Sequence, residues 1–191
     1  MSTVPLPRPS APPALLDLLA RLEERELAVH GRAVAALAVR VCRALSLPEL
    51  FVNRVEMAAL VHDAGKVELP QDVLDRPGPL PIEAWRTVRS HPARGARLVA
   101  DVPGLEGVAP WLRAHHERWD GRGYPDRLAG ERIPLAARII HACDAFDAMT
   151  RDRCYRCALP VDAACAEIAA GAGSQFDPVV ARVLVAVVLD T

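Results

Sequence analysis

Residues 57–66 read MAALVHDAGK, from Met57 to Lys66. The Ala- and Leu-rich run favours helix, and Gly65 supplies a stop. The polar pair His62–Asp63 therefore sits at a helix end. There an imidazole nitrogen and a carboxylate can both reach one cation.

Working outward, Pro48 suits the first position of this helix, which is expected to run to about His62. Upstream, Ala14 to Leu45 reads as helix, with Leu27, Val34, Leu37, Val41 and Leu45 on one face. Residues 66–80 read as loop with room for a short helical turn. A helix is expected from about Pro81 to Asp101, interrupted or kinked near Pro92. A short helix leads into His115. The glycine- and proline-rich stretch Glu117–Pro134 reads as a long loop. Helices follow at Leu135–Thr150, Pro160–Ala170 and Pro178–Leu189. No window alternates with period two. The fold class expected is all-α, a single-domain bundle of about seven helices.

Composition agrees. The chain has 191 residues, a one-domain length, with 51% hydrophobic and 4% aromatic content. A formal net charge of −1 gives no electrostatic reason for a nucleic-acid polymer or an anionic membrane as partner. The run Val179–Leu189, broken by Arg182, is too short to span a bilayer, and no secretion signal is legible. The expected location is the cytoplasm. Residues 1–13 carry five prolines and read as a flexible leader to a domain over residues 14–191. Five cysteines, an odd number, argue against a disulfide framework. Cys154 and Cys157 form a lone CxxC, readable as a redox or zinc pair or as two thiols one helical turn apart.

The polar chemistry falls in the same helices. His115 and His116 are a second adjacent pair at a helix end. Asp144 lies in the apolar stretch ARIIHACDAFDAM, where an unpartnered carboxylate is costly, so Asp144 and Asp147 call for a partner that a shared metal would supply. Several histidines with carboxylates suit iron, manganese, nickel or zinc better than calcium or magnesium. Glu26 and His30, four apart, share a helix face, although Glu26 also belongs to the charged run Arg21–Glu26, a solvated face.

Taken in order, these blocks resemble the HD-GYP family of HD-superfamily phosphohydrolases. They are His30; HDAGK (His62–Lys66); RPGPL (Arg76–Leu80); HPARGA (His91–Ala96); HHERWDGRGYP (His115–Pro125); IPLAARII (Ile133–Ile140); DAFDAMTRDRCYR (Asp144–Arg156); and QFDP (Gln175–Pro178). The resemblance covers about Glu26 to Asp177. It implies a metal-dependent phosphodiesterase that hydrolyses cyclic di-GMP to pGpG and on to GMP, with two or three divalent metals, iron or manganese. The metal ligands it implies are His30, His62, Asp63, His91, His115, His116 and Asp144, with Glu26 for a third metal. Asp63 is the expected bridging carboxylate. His30, His62 and Asp144 are assigned to one metal, and His91, His115 and His116 to the other.

Lys66 is implied as a cation on the phosphoryl group, and Arg153 and Arg156 as phosphate-binding residues. The GYP loop is expected to shape the rim or dock protein partners, and Trp111 and Trp119 to pack rather than stack on a base. A homodimer is among the expected partners, beside cyclic di-GMP. Two residues depart from the family pattern: Cys154 replaces a proline, and His141 stands where small apolar residues are usual. Two other readings remain open at this point, namely hydrolysis of a different cyclic dinucleotide or nucleotide, and a non-catalytic module that docks partners through the GYP loop.

Overall fold

The computed structural model describes residues 13–25, 27–74, 76, 78, 81–152 and 157–190. Its α-helices are α1 (Pro13–Glu24), α2 (Ala28–Ala44), α3 (Glu49–Leu60), α4 (Gln71–Leu74), α5 (Ile82–Val88), α6 (His91–Ala100), α7 (Ala109–Ala114), α8 (Leu135–Thr150), α9 (Val161–Ala170) and α10 (Pro178–Leu189). Among the described residues there is no strand, only an isolated bridge between Ala172 and Phe176. The all-α expectation holds, with ten helical segments rather than about seven.

The extra segments arise at three places among the described residues. The expected helix over 14–45 divides between α1 and α2. The helix over 81–101 divides before His91, because Pro92 lacks an N–H and fits only the first turn of α6. The loop at 66–80 contains the short α4 and follows a 3-10 turn over Ala64–Glu68. No helix among the described residues is long and apolar enough to cross a membrane. Of the leader expected over residues 1–13, Pro13 opens α1; the rest of it, most of RPGPL and the CxxC reading at Cys154 lie outside the described residues.

α2 is the centre of the bundle and packs against both α3 and α8. Its buried face is small: Val34, Ala35, Ala38, Val41 and Cys42. It meets Ala58 and Ala59 of α3, and Ile139, Ala142 and Cys143 of α8, in one continuous core. Small side chains let the helix axes approach closely, so polar residues near the helix ends are carried toward one another. α8 is tied to α10 by Asp177. This carboxylate caps α10 by accepting from the Val179 and Val180 N–H groups and pairs with Arg138 at 2.5 Å.

Two glycines set the approach of the polar ends. A Cβ on Gly31 would lie 2.7 Å from the Leu60 carbonyl oxygen, so α2 is pressed against the end of α3 beside His30. A Cβ on Gly65 would lie 2.0 Å from the His91 carbonyl oxygen and 2.6 Å from the Gly95 nitrogen, so the turn after Asp63 rests on the first turn of α6. Neither neighbour can yield, since both are backbone. Gly65→Ala is expected to destabilise the fold by about 3 kcal/mol, the upper range for overpacking. In a thermal melt that is a fall in Tm of roughly 10 °C. An unchanged Tm would show that the turn and α6 can separate.

Candidate metal centre

Helix ends deliver most of the cluster. His62 and Asp63 follow α3, His91 opens α6, and His115 and His116 follow α7, while His30 comes from α2 and Asp144 from α8. The seven side chains meet inside the bundle.

Three of the imidazoles are held in the same way. His62 Nδ1 lies 2.7 Å from the Ala59 carbonyl oxygen, His91 Nδ1 2.8 Å from that of Val88, and His115 Nδ1 2.6 Å from that of Leu112. In each case the acceptor is three residues earlier. A carbonyl oxygen can only accept, so Nδ1 carries a proton, and the neutral form of each ring has its lone pair on Nε2. The three lone pairs converge. His91 Nε2 is 3.2 Å from His115 Nε2, and His62 Nε2 is buried without a hydrogen-bond partner. His116 is held by its ring, stacked on Tyr124 with centroids 4.9 Å apart.

Asp63 lies between the histidines. Its Oδ1 is 3.3 Å from His91 Nε2 and its Oδ2 is 3.6 Å from His62 Nε2, while Lys66 Nζ donates to Oδ2 at 2.6 Å. Burial would raise the pKa of Asp63, but Lys66, His62 and His91 hold it well below the usual carboxylate range. Asp144 Oδ1 is 3.0 Å from His30 Nε2 and 3.9 Å from His62 Nε2. Burial opposes the Asp144 charge as well, yet the hydrogen bond with His30, with the His62 and His116 imidazoles nearby, keeps its pKa low.

The histidines fall into two electrostatic classes. Burial lowers the pKa of His115 well below normal and that of His116 to about 3, so both are neutral at pH 7. Burial also disfavours charge on His30, but hydrogen bonds with Asp144 and Asp147 outweigh it and raise its pKa to about 9.

This donor set fits divalent metals. Ligand atoms of His91, His115 and His116 lie within 4.8 Å of one another, as do those of His30, His62 and Asp144, and those of His62, Asp63 and His115. Two buried nitrogen lone pairs 3.2 Å apart repel unless positive charge lies between them. Neutral imidazoles with carboxylates are donors for transition metals.

The sequence reading named Asp147 only as a carboxylate in need of a partner, with a shared metal as the candidate; side chains partner it instead. Its Oδ2 accepts from His30 Nδ1 at 2.6 Å and pairs with Arg151 Nε at 2.6 Å. It thus orients the ring whose other nitrogen faces Asp144. The legible signal was a second carboxylate on an apolar helix, three residues after Asp144 and so on the same face. Glu117 was likewise given no role. Its buried Oε1 accepts the Asp126 N–H at 2.6 Å, which braces the loop that carries Tyr124. In that loop Gly123 lies so close to the chain that a Cβ would sit 2.4 Å from the Arg118 nitrogen.

His141 is buried between His116 and Phe176, and its ring nitrogens have no hydrogen-bond partner among the described residues. Trp111 packs against Phe51 and Arg54, and the Arg138 guanidinium lies over the Trp119 ring. Glu26, Arg153 and Arg156 lie outside the described residues.

The raised His30 pKa generates a test. Below about pH 9 the metal-free ring is an imidazolium, so a cation that uses Nε2 must displace one proton. Mn²⁺ affinity is therefore expected to rise about tenfold per pH unit from 7 toward 9 and to level off above. Asp147→Ala should weaken binding by about 10–100-fold and flatten this slope. Calorimetric titration at several pH values checks both, and a pH-independent affinity in the unaltered chain would refute the His30 linkage.

Comparison with known proteins agrees with this geometry. The HD domain family model matches residues 13–180. Over 176 residues the chain is 39% identical to a cyclic di-GMP phosphodiesterase of Pseudomonas aeruginosa, covering 91% of this chain and 42% of that protein. It is 37% identical over 183 residues to the cyclic di-GMP phosphodiesterase response regulator RpfG of Xanthomonas campestris, covering 86% of this chain and 48% of that protein. The chain thus spans less than half the length of these relatives. A solved structure of a cyclic GMP-AMP specific phosphodiesterase of V. cholerae matches with a TM-score of 0.69 at 22% identity, covering 93% of this chain and 48% of that one, a likeness of fold alone. With a family match over most of its length and the histidine–aspartate cluster in place, the chain belongs to the HD-domain family.

Proposed function

We propose that this chain is a metal-dependent phosphodiesterase that hydrolyses cyclic di-GMP to pGpG and on to GMP. The observation that carries the reading is the convergence of His62, His91 and His115 lone pairs beside Asp63, with His30, His116 and Asp144 completing the donor set. The names of the relatives give the substrate class.

In this reading His30, His62 and Asp144 hold one metal, and His91, His115 and His116 hold the other. Asp63 serves both, since its two oxygens are turned toward different histidines. Iron or manganese, when bound, supplies Lewis acidity that draws charge from the phosphoryl oxygens and acidifies water. Lys66 holds Asp63 in place through its Nζ and keeps a positive charge beside the cluster. Asp147 keeps the His30 proton on Nδ1 and so leaves Nε2 for the metal. Glu26 is proposed as a ligand of a third metal, and Arg153 and Arg156 as phosphate-binding cations. The GYP loop shapes the rim, because Tyr124 is stacked on His116. Protein partners at that loop, a homodimer and a cytoplasmic location belong to the same proposal.

Turnover of cyclic di-GMP by anaerobically prepared protein with Fe²⁺ or Mn²⁺, with pGpG and GMP resolved by chromatography, tests the reading. 3′3′-cGAMP run in parallel identifies the preferred dinucleotide. Asp63→Ala should lower turnover by at least about a thousandfold, because both metals lose a shared ligand. No turnover of either dinucleotide by the unaltered chain would overturn the proposal, and near-normal rates in Asp63→Ala would remove Asp63 from its bridging role.

A further inference from the structure

We infer that Arg89 is a substrate-binding residue, which takes the phosphodiester of the cyclic dinucleotide that is not being cleaved. The inference rests on the phosphodiesterase reading above. Arg89 ends α5, two residues before His91, and its N–H donates to the Trp85 carbonyl at 2.9 Å, which fixes its backbone to the last helical turn. Its Cζ lies 4.5 Å from the centroid of the Tyr124 ring. That same ring is stacked on His116 at 4.9 Å, and His116 belongs to the converging imidazoles. Arg89 is therefore two ring contacts away from a candidate metal ligand. Exposure grows along the same path, from buried His115 through half-buried His116 and Tyr124 to exposed Arg89.

The guanidinium sits over the Tyr124 ring, which is a cation–π partner and not a carbonyl or carboxylate acceptor. Its five N–H donors lie in one plane. Among the described residues none of them meets a carboxylate or a carbonyl. Four other arginines are paired with carboxylates. Arg113 pairs with Asp126, Arg118 with Asp120, Arg138 with Asp177 and Arg151 with Asp147. Lys66 is engaged as well, since its Nζ lies 2.6 Å from Asp63. Arg89 is thus a positioned cation with a free donor fork at the mouth of the cluster. A cyclic dinucleotide carries two phosphodiesters, and the cluster acts on one at a time. The other remains a monoanion that a planar fork can hold through two charge-assisted hydrogen bonds.

The test compares Arg89→Ala and Arg89→Lys with the unaltered chain on cyclic di-GMP, on 3′3′-cGAMP and on bis(p-nitrophenyl) phosphate, which has a single phosphodiester. Arg89→Ala should raise KM for the dinucleotide about tenfold with kcat changed far less, as expected for losing a charge-assisted contact. Its loss on bis(p-nitrophenyl) phosphate should be several-fold smaller, and its metal content should match the unaltered chain. Arg89→Lys should recover only part of the affinity, because an ammonium lacks the fork. Equal losses on both substrate types, or a lowered metal content, would show that Arg89 merely holds Tyr124 against His116 and would overturn the inference. An unchanged KM in Arg89→Ala would overturn it too, with the phosphodiesterase reading intact. An unaltered chain that cleaves bis(p-nitrophenyl) phosphate but neither dinucleotide would sink the substrate reading, and the role of Arg89 with it.

Discussion

Buried nitrogen lone pairs do not tolerate one another without positive charge between them, and this constraint organises the protein. His62, His91 and His115 each donate Nδ1–H to the carbonyl three residues back, so each backbone segment dictates where its Nε2 points. All three point inward. The fold that brings them together therefore carries a local electrostatic cost, which burial enhances. Lys66 and a charged His30 supply part of the answer, and a divalent metal supplies a better one.

The rest of the architecture follows from having to place helix ends close together. Alanine-rich faces on α2, α3 and α8 shorten the distances between helices. Gly31 and Gly65 then permit contacts that any Cβ would block. Core packing and site geometry are in this sense one problem. A side chain added at Gly65 would push His91 away from Asp63 as well as opening the core. The loop from Glu117 to Tyr124 extends the same logic outward. Glu117 braces it from inside, Gly123 lets the chain fold back on itself, and Tyr124 stacks on an imidazole of the cluster and carries Arg89 on its ring.

Much of this was legible in the sequence. The helical class followed from Ala- and Leu-rich periodicity, and the gathering of His30, His62, Asp63, His91, His115, His116 and Asp144 followed from motif order. The split of the 81–101 helix before His91 was half legible, since Pro92 marked the place but not the sharpness of the break. Asp147 was marked only as a carboxylate in need of a partner and Arg89 was not singled out, because their contacts span 117 and 35 residues of chain, which no local pattern encodes. Asp177 shows the converse. QFDP was recognisable as a block, yet only the fold reveals a carboxylate that both caps α10 and pairs with Arg138.

The central claim is that the converging imidazoles and carboxylates form a metal centre with more than one ion. Anomalous diffraction from crystals grown anaerobically with Mn²⁺ or Fe²⁺, with metal analysis of the same sample, tests it most directly. At least two ions per chain are expected, one among His91, His115 and His116 and one among His30, His62 and Asp144, with Asp63 in contact with both. Fewer than one ion per chain, or ions bound away from these side chains, would contradict it.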